Sequence, residues 1–474
     1  MDTLPNDVLI AIFDSYMDEC SHENSKEEKE VAWQSLVHVC RRWRSIVFGS
    51  PRHLDLQLVC KTRTRARDTL DAWPILPLVI ECRGDYRIRN VDNILAVLER
   101  NDRVCRIILI NVDSPDLEII LAAMQQPFPE LTGLDLWLND KTVAVVPDSF
   151  LGGSAPRLED LTLGGIPFPG IPKLLLSATH LVNLHLRQIP HSGYFSPDVM
   201  VTALSTLTNL EIFSLRFQSP RSCPDQATRR PLPSTRSVLP VLTQFWFKGV
   251  SEYLEDLVAR IDAPQLNRLP IRFFNDIVFD TPQFMQFISR TPMLKLLEKA
   301  HITLSDKAAN VNFLSRTSDW NRDFNVEILC RGMDWQVSSL EQVCTSLLPS
   351  LSMSEDLYIY KRPGYGLDWK GKIENGLWVE VLHPFTTVKN LYLSEEFALR
   401  IVPALGELVE GRTTEVLPAL QNIFLEGLES SDASGSIEEG IGQFIAAREV
   451  AGHPIIISRW ANSENEKIPV YHDH

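Results

Sequence analysis

Eight cysteines are scattered over 474 residues, at positions 20, 40, 60, 82, 105, 223, 330 and 344, and no two form a Cys-x-x-Cys clip. That spacing excludes a zinc knuckle or a dithiol redox motif. In so long a chain, scattered cysteines read as buried thiols of a reducing compartment. Asn-x-Ser/Thr sequons are missing. The N-terminus has no basic start and no sustained apolar core, so it is not expected to act as a signal peptide. No apolar run approaches the roughly 20 residues that cross a bilayer. Cytoplasm or nucleus is the expected location, with no membrane partner. Basic charge is also short: 46 Lys and Arg stand against 61 Asp and Glu, a formal charge of −15. This favours solubility and argues against a chain built around nucleic acid.

Catalytic signatures are equally sparse. No Gly-x-Ser-x-Gly elbow occurs, and Gly152-Gly153-Ser154 leads into Pro156 rather than a helix. His180 and His185 are five apart at a loop and a strand, a poor geometry for one metal, and His472 and His474 lie on the tail. Gly366 to Lys372 fits Gly-x4-Gly-Lys, but Ile373 takes the place of the metal-binding hydroxyl and Asn375-Gly376 breaks the following helix. Nothing assembles nucleophile, base and oxyanion donor. The chain reads as a non-enzyme with no cofactor and no metal site.

Two apolar stripes are present near the N-terminus. Val8, Leu9, Ile12, Phe13 and Tyr16 recur at three- and four-residue steps, placing them on one face of a helix that Pro5 suits in its first turn and Thr3 can cap. Trp33, Leu36, Val37, Cys40, Trp43 and Val47 repeat with the same period beneath an Arg-rich outer face. Between the stripes, residues 18–30 hold Asp18, Glu19, Glu23, Glu27, Glu28 and Glu30 with almost nothing apolar, as expected of a solvated loop or frayed helix end. A unit this small buries only part of its apolar surface. Burying one Leu, Ile or Phe contributes about 1.5–3 kcal/mol, so several can outweigh an association cost of roughly 4–15 kcal/mol. A helical module that docks on a partner is what these magnitudes allow.

Leu4-Pro5, Val8-Leu9, Ile12-Phe13 and Val39-Cys40-Arg41-Arg42-Trp43-Arg44 together resemble the F-box, the helical motif with which F-box proteins dock onto the Skp adaptor of a cullin-based ubiquitin ligase. Asp7 stands where that family more often has Glu, and the segment between the two pieces is longer and more charged than usual. The resemblance implies that Leu4, Pro5, Val8, Leu9, Ile12, Phe13, Val39, Cys40 and Trp43 contact the adaptor and, through it, a cullin.

Behind this module the pattern Leu-x-x-Leu-x-Leu recurs at Leu131, Leu158 and Leu181, with looser copies from Val104, Leu210, Leu242, Leu266, Val388 and Leu420. From 104 to 266 the first positions are separated by 27, 27, 23, 29, 32 and 24 residues, and a leucine-rich repeat has a period of about 20–29. Ser114-Pro115, Ser196-Pro197 and Thr281-Pro282 each set a capping hydroxyl and an N1 proline before a helical pattern. The array resembles the leucine-rich repeats behind the F-box in one large class of such proteins. It implies an α/β chain of N-terminal all-α F-box helices followed by a solenoid, a curved parallel sheet with outer helices.

The expected divisions are a helical module over 1–50, a linker and first cap over 51–100, repeats over 101–300, degenerate repeats and a C-terminal cap over 301–460, and a loose tail over 461–474. Within these, Ile437 to Val450 reads as an amphipathic helix and Pro454 to Ser458 as a buried closing strand. The Pro-, Arg- and Ser-rich stretch 219–238 reads as an inserted loop. The implied function is the substrate-recognition subunit of an SCF-type ligase, holding an unnamed target protein. The alternative is a nucleic-acid or anion binder using the basic stretch 41–67, where Arg41, Arg42, Arg44, Arg52, Lys61, Arg63, Arg65 and Arg67 face only Asp55. That stretch lacks the interleaved aromatics of a nucleic-acid platform.

Overall fold

A computed structural model describes residues 4–23, 26–51, 53–54, 56–61, 66–73, 75–83, 91–138, 145–222, 236–274, 281–315, 323–330, 332–347, 354–362, 373–409, 414–426 and 434–460. The chain divides into two compact units, Met1–Leu210 and Glu211–His474.

The first unit opens with three helices, α1 (Asn6–Glu23), α2 (Lys26–Val39) and α3 (Arg41–Gly49). The acidic stretch expected as a loop or frayed end is helical on both sides of residues 24–25. Glu and Lys are strong helix formers, and that propensity outweighs the lack of an apolar face. Six strands follow: β1 (Leu58–Lys61), β2 (Leu78–Arg83), β3 (Val104–Ile110), β4 (Gly133–Trp137), β5 (Asp160–Gly164) and β6 (Asn183–Ile189). They pair in chain order and in parallel. Parallel neighbours need crossovers, and helices such as Val91–Leu98 and Ser114–Ala123 provide them.

The second unit contains β7 (Ile212–Phe217), β8 (Ser237–Val238), β9 (Gln244–Gly249), β10 (Ile261–Asp262), β11 (Arg268–Phe274), β12 (Lys299–Leu304), β13 (Ala308–Leu314), β14 (Asp323–Leu329), β15 (Asp356–Lys361), β16 (Asn390–Leu393), β17 (Asn422–Leu425) and β18 (Ile456–Arg459). Its sheet runs β7-β9-β11-β14-β13-β12-β15-β16-β17-β18, while β8 and β10 form a separate two-stranded ladder.

Both units are mixed α/β, built on parallel strands. The recurrent leucines explain why. Leu131, Leu134 and Leu136, Leu158, Leu161 and Leu163, and Leu181, Leu184 and Leu186 are all buried, as are Leu242, Phe245 and Phe247 and Val388, Leu391 and Leu393. Strands such as β6, β9, β16 and β17 alternate between this buried face and a more open one, whereas β12 to β15 are buried on both faces. One repeat cannot cover its own apolar residues, so the strands stack.

Further expectations need correction. Asn375-Gly376 opens a helix, Asn375–Leu382, rather than breaking one. The sheet is not parallel throughout: β13 is antiparallel to both β12 and β14. In the 300–385 region a hairpin therefore replaces successive parallel repeats. Its cause is local, because the Ser305 hydroxyl accepts from the Lys307 and Ala308 N–H groups at 3.3 and 3.1 Å and turns the chain back on itself. Buried Gln336 then donates to the Ser305 carbonyl at 2.9 Å and holds the turn.

Ser114, Ser196 and Thr281 do not cap through their hydroxyls. At the last of these helices, Pro282–Arg290, the Glu255 carboxylate accepts from the Gln283 and Phe284 N–H groups at 3.0 and 2.7 Å. A neighbouring helix, Ser251–Val258, thus supplies the cap. The second apolar stripe is not one helix, since Cys40 is extended between α2 and α3 and its thiol accepts from the Trp43 N–H at 3.4 Å. Finally, β18 is an edge strand rather than a buried one. Among the described residues it pairs only with β17, and Ile456 is 65% exposed.

Candidate interaction site

The first apolar stripe of α1 separates into two lines, each stepping by four residues. Leu9, Phe13 and Met17 form the inner line and are buried. Val8, Ile12 and Tyr16 form the outer line, which Leu4 continues just ahead of the helix, and the exposures of Leu4, Val8, Ile12 and Tyr16 are 40%, 42%, 47% and 40%. Adjacent residues on a helix point about 100° apart, so one helix presents both lines when its apolar arc is wide enough. The inner line closes the module. Phe13 meets the half-buried Trp43 of α3 with ring centroids 4.7 Å apart.

Arginines fix the geometry of the outer line. Arg42 on α3 donates to the Leu4 carbonyl and, at 2.9 Å, to Asn6 Oδ1, tying the start of α1 to the start of α3. Arg44 Nε donates to the Val37 carbonyl at 3.0 Å across the α2–α3 bend. Pro5 stands just before α1, and its carbonyl accepts from the Leu9 N–H at 3.2 Å. Trp33 of α2 anchors the module to the strands, donating from Nε1 to the Gln57 carbonyl at 3.2 Å and meeting Trp73 edge-on at 5.1 Å.

Of the nine residues expected at the adaptor surface, Leu4, Pro5, Val8, Ile12, Val39 and Cys40 are exposed, Trp43 is half-buried, and Leu9 and Phe13 lie inside the module. Tyr16 joins the outer line. Its position four residues beyond Ile12 is the sequence signal for it.

In the basic stretch 41–67, the guanidinium groups of Arg42 and Arg44 are directed at backbone carbonyls, whereas Arg41 and Arg67 are exposed. Arg52, Arg63 and Arg65 fall outside the described residues. So do Thr3, the Gly-x4-Gly-Lys segment up to Lys372, residues 223–235 of the inserted loop, and His472 and His474. Among the described residues, no group of three His, Cys, Asp or Glu side chains could hold a metal, and no helix is long and apolar enough to cross a membrane. Cys40, Cys60, Cys82, Cys105, Cys330 and Cys344 are free thiols. Burial, with Glu341 adding to it, pushes the Cys344 thiol up.

The open faces of the two sheets carry most of the remaining chemistry. In the first unit the Trp137 ring lies over Gly164, where a Cβ would meet it at 2.2 Å, and the Arg187 guanidinium sits 5.9 Å from that ring's centroid. Arg106 crosses Gly133 to reach Asp160 at 3.0 Å, and Asn183 donates to the same carboxylate at 2.6 Å. Burial pushes the Asp135 carboxyl up, against the pull of Arg83, Arg187 and Arg106.

In the second unit, cross-strand registers align side chains in rows on the face opposite the leucines, and many of them, Asn312 and His301 among them, are buried. One row passes from Arg216 to Lys248, Arg272, Glu327 and Asn310. Another passes from Asn325 to Asn312, His301, Tyr358, Tyr392 and Phe424. In this second row the rings stack in sequence, with His301 on Tyr358 at 4.4 Å, Tyr358 on Tyr392 at 4.2 Å and Tyr392 on Phe424 at 4.4 Å. These residues occupy the variable places between the leucines, where no periodic signal marks them.

No protein-family model matches the chain, and no curated protein matches it. Among solved structures it is similar to the leucine-rich repeat-containing protein LegL7 from Legionella pneumophila, at 10% identity and a TM-score of 0.26, over 81% of this chain and 97% of that one. The strand–helix repeat rests on the registers and buried leucines described above.

Proposed function

We propose that the protein is a non-catalytic substrate-recognition subunit of an SCF-type cullin-RING ubiquitin ligase, with an F-box formed by α1–α3 and a leucine-rich-repeat array that binds a target protein. The observation that carries this reading is the outer line of α1. Leu4, Val8, Ile12 and Tyr16 stay exposed at i, i+4 spacing while the inner line already supplies the module's core. Helices laid on a partner use such four-residue spacing of apolar anchors. Val39, 54% exposed beside the α2–α3 bend, and Pro5 at the head of α1 add to the same class of surface.

Of the two inner residues that the F-box resemblance assigns to the adaptor, Phe13 holds α1 against Trp43 of α3 and Leu9 is buried within the module, so that the outer line is presented. The catalytic contribution of such a subunit is proximity alone, bringing a target near a ubiquitin-conjugating enzyme. The test is co-purification of a Skp adaptor with the full chain. Leu4→Ala with Pro5→Ala should abolish it while thermal melting stays unchanged. Adaptor recovery at the wild-type level would remove the assignment.

A further inference from the structure

We infer that the open face of the second unit binds an acidic, carboxylate-bearing extended segment of a partner protein, in a cleft walled by Arg216, Trp246, Lys248, Arg272, Asn325 and Glu327. The inference rests on the reading of the repeat array as target-binding and names the chemistry of that target. The cleft is a cavity of about 30 Å³, room for one small polar group.

Its charge runs against that of the whole chain. Across β7, β9 and β11 the register sets Arg216, Lys248 and Arg272 side by side, in a protein with 61 acidic and 46 basic residues. The cations are held in place: Arg216 lies 5.1 Å from the Trp246 ring centroid, Arg268 takes the ring at 4.7 Å, and Arg272 Nε bonds Glu327 at 2.5 Å. Positioned cations beside an aromatic ring are a preformed seat for an anion, because little ordering is left to do on binding.

Polar atoms next to the cations lack partners. Asn325 Oδ1, in the cleft wall, has no hydrogen-bond partner although the residue is 4% exposed. Asn312 and Asn310 Oδ1 on the adjoining strand are unsatisfied too, but they are sealed from solvent and do not line the cleft. Buried polar groups are nearly always paired, so the orphan in the cleft wall, Asn325 Oδ1, is the one that points to a ligand. A primary amide offers one acceptor and a donor group, the complement of a peptide N–H and C=O.

Glu327 selects among anions. Its carboxylate already engages Arg272 and, at 2.6 Å, Arg362. A monoanionic side-chain carboxylate is tolerated beside it, whereas a dianionic phosphate meets stronger repulsion.

The test uses purified full chain without adaptor, a fluorescein-labelled peptide of alternating Glu and Gly, and its Gln counterpart, read by fluorescence anisotropy. The Glu peptide should bind about tenfold or more tightly than the Gln peptide, and the difference should shrink with added salt. Arg216→Gln with Lys248→Gln should reduce Glu-peptide affinity to the Gln level, whereas Arg157→Gln in the first unit should leave it intact. Asn325→Ala should weaken both peptides, which excludes a purely electrostatic effect. Absent binding, equal binding of the two peptides, or unchanged affinity in the Arg216/Lys248 variant would overturn the inference. Adaptor co-purification should be unaffected by every one of these substitutions, so the two assignments fail separately.

Discussion

His301 makes the fold acid-sensitive in a calculable way. Its imidazole is buried between Tyr358, on which it stacks at 4.4 Å, and Tyr360, whose hydroxyl lies 3.2 Å from Nδ1. Burial, helped by Lys299, lowers its pKa to about 3. The unfolded chain returns it to about 6.5. Because the folded value is the lower one, the unfolded state binds the proton first, so stability is fully present above pH 6.5 and is lost as pH falls towards 3. Integrating between these two values gives a loss of about 2 kcal/mol from this one group on going from pH 7 to pH 5. The assay is urea unfolding at both pH values for wild type and for His301→Phe, which keeps the stack on Tyr358 and removes the titration. The wild type should lose about 2 kcal/mol more than the variant over that interval. Equal losses would refute the reasoning, as would an imidazole that titrates near 6.5 in the native protein by NMR.

The two lines of α1 should separate in stability measurements. Phe13→Ala should cost about 3–5 kcal/mol in urea unfolding, whereas Ile12→Ala should stay within about 0.5 kcal/mol of wild type. Gly164→Ala should displace the Trp137 ring and destabilise by about 1–3 kcal/mol, with a shift in tryptophan emission that Gly442→Ala, in open space, does not produce. Glu255→Ala should cost about 1–2 kcal/mol by leaving the Gln283 and Phe284 N–H groups uncapped, with faster amide exchange confined to the first turn of that helix.

Much of the fold is legible in the residues, and the exceptions arise from contacts that no periodic pattern marks. The leucine spacing predicts strands because each leucine must be buried by its neighbours in the array, and that demand repeats along the chain. Which line of α1 faces outward is not readable, since Val8, Ile12 and Tyr16 are as apolar as Leu9, Phe13 and Met17. The choice is made by Trp43 and Arg42, which lie about thirty residues away on α3.

The break at Cys40 lacks the glycine or proline that usually announces one. A thiol cap and the Arg44 bond to Val37 stabilise it instead. The β12–β13 hairpin hides in strands whose buried residues occupy both faces, so no alternation distinguishes them from parallel repeats. The Thr281–Pro282 pair marks a helix start correctly but misnames the cap, because Glu255 arrives from another helix. The open-face rows are set by register alone, and no local pattern reveals which variable residues of successive repeats become neighbours.

The proposed docking surface on α1 is tested most directly by calorimetric titration of a purified Skp adaptor into the full chain and into Val8→Glu/Ile12→Glu. Both substitutions lie on the exposed line and leave Leu9 and Phe13 in place. The wild type should bind, and the variant should lose binding with an unchanged melting temperature. A variant that binds as tightly as wild type, or a wild type that gives no heat, would contradict the account.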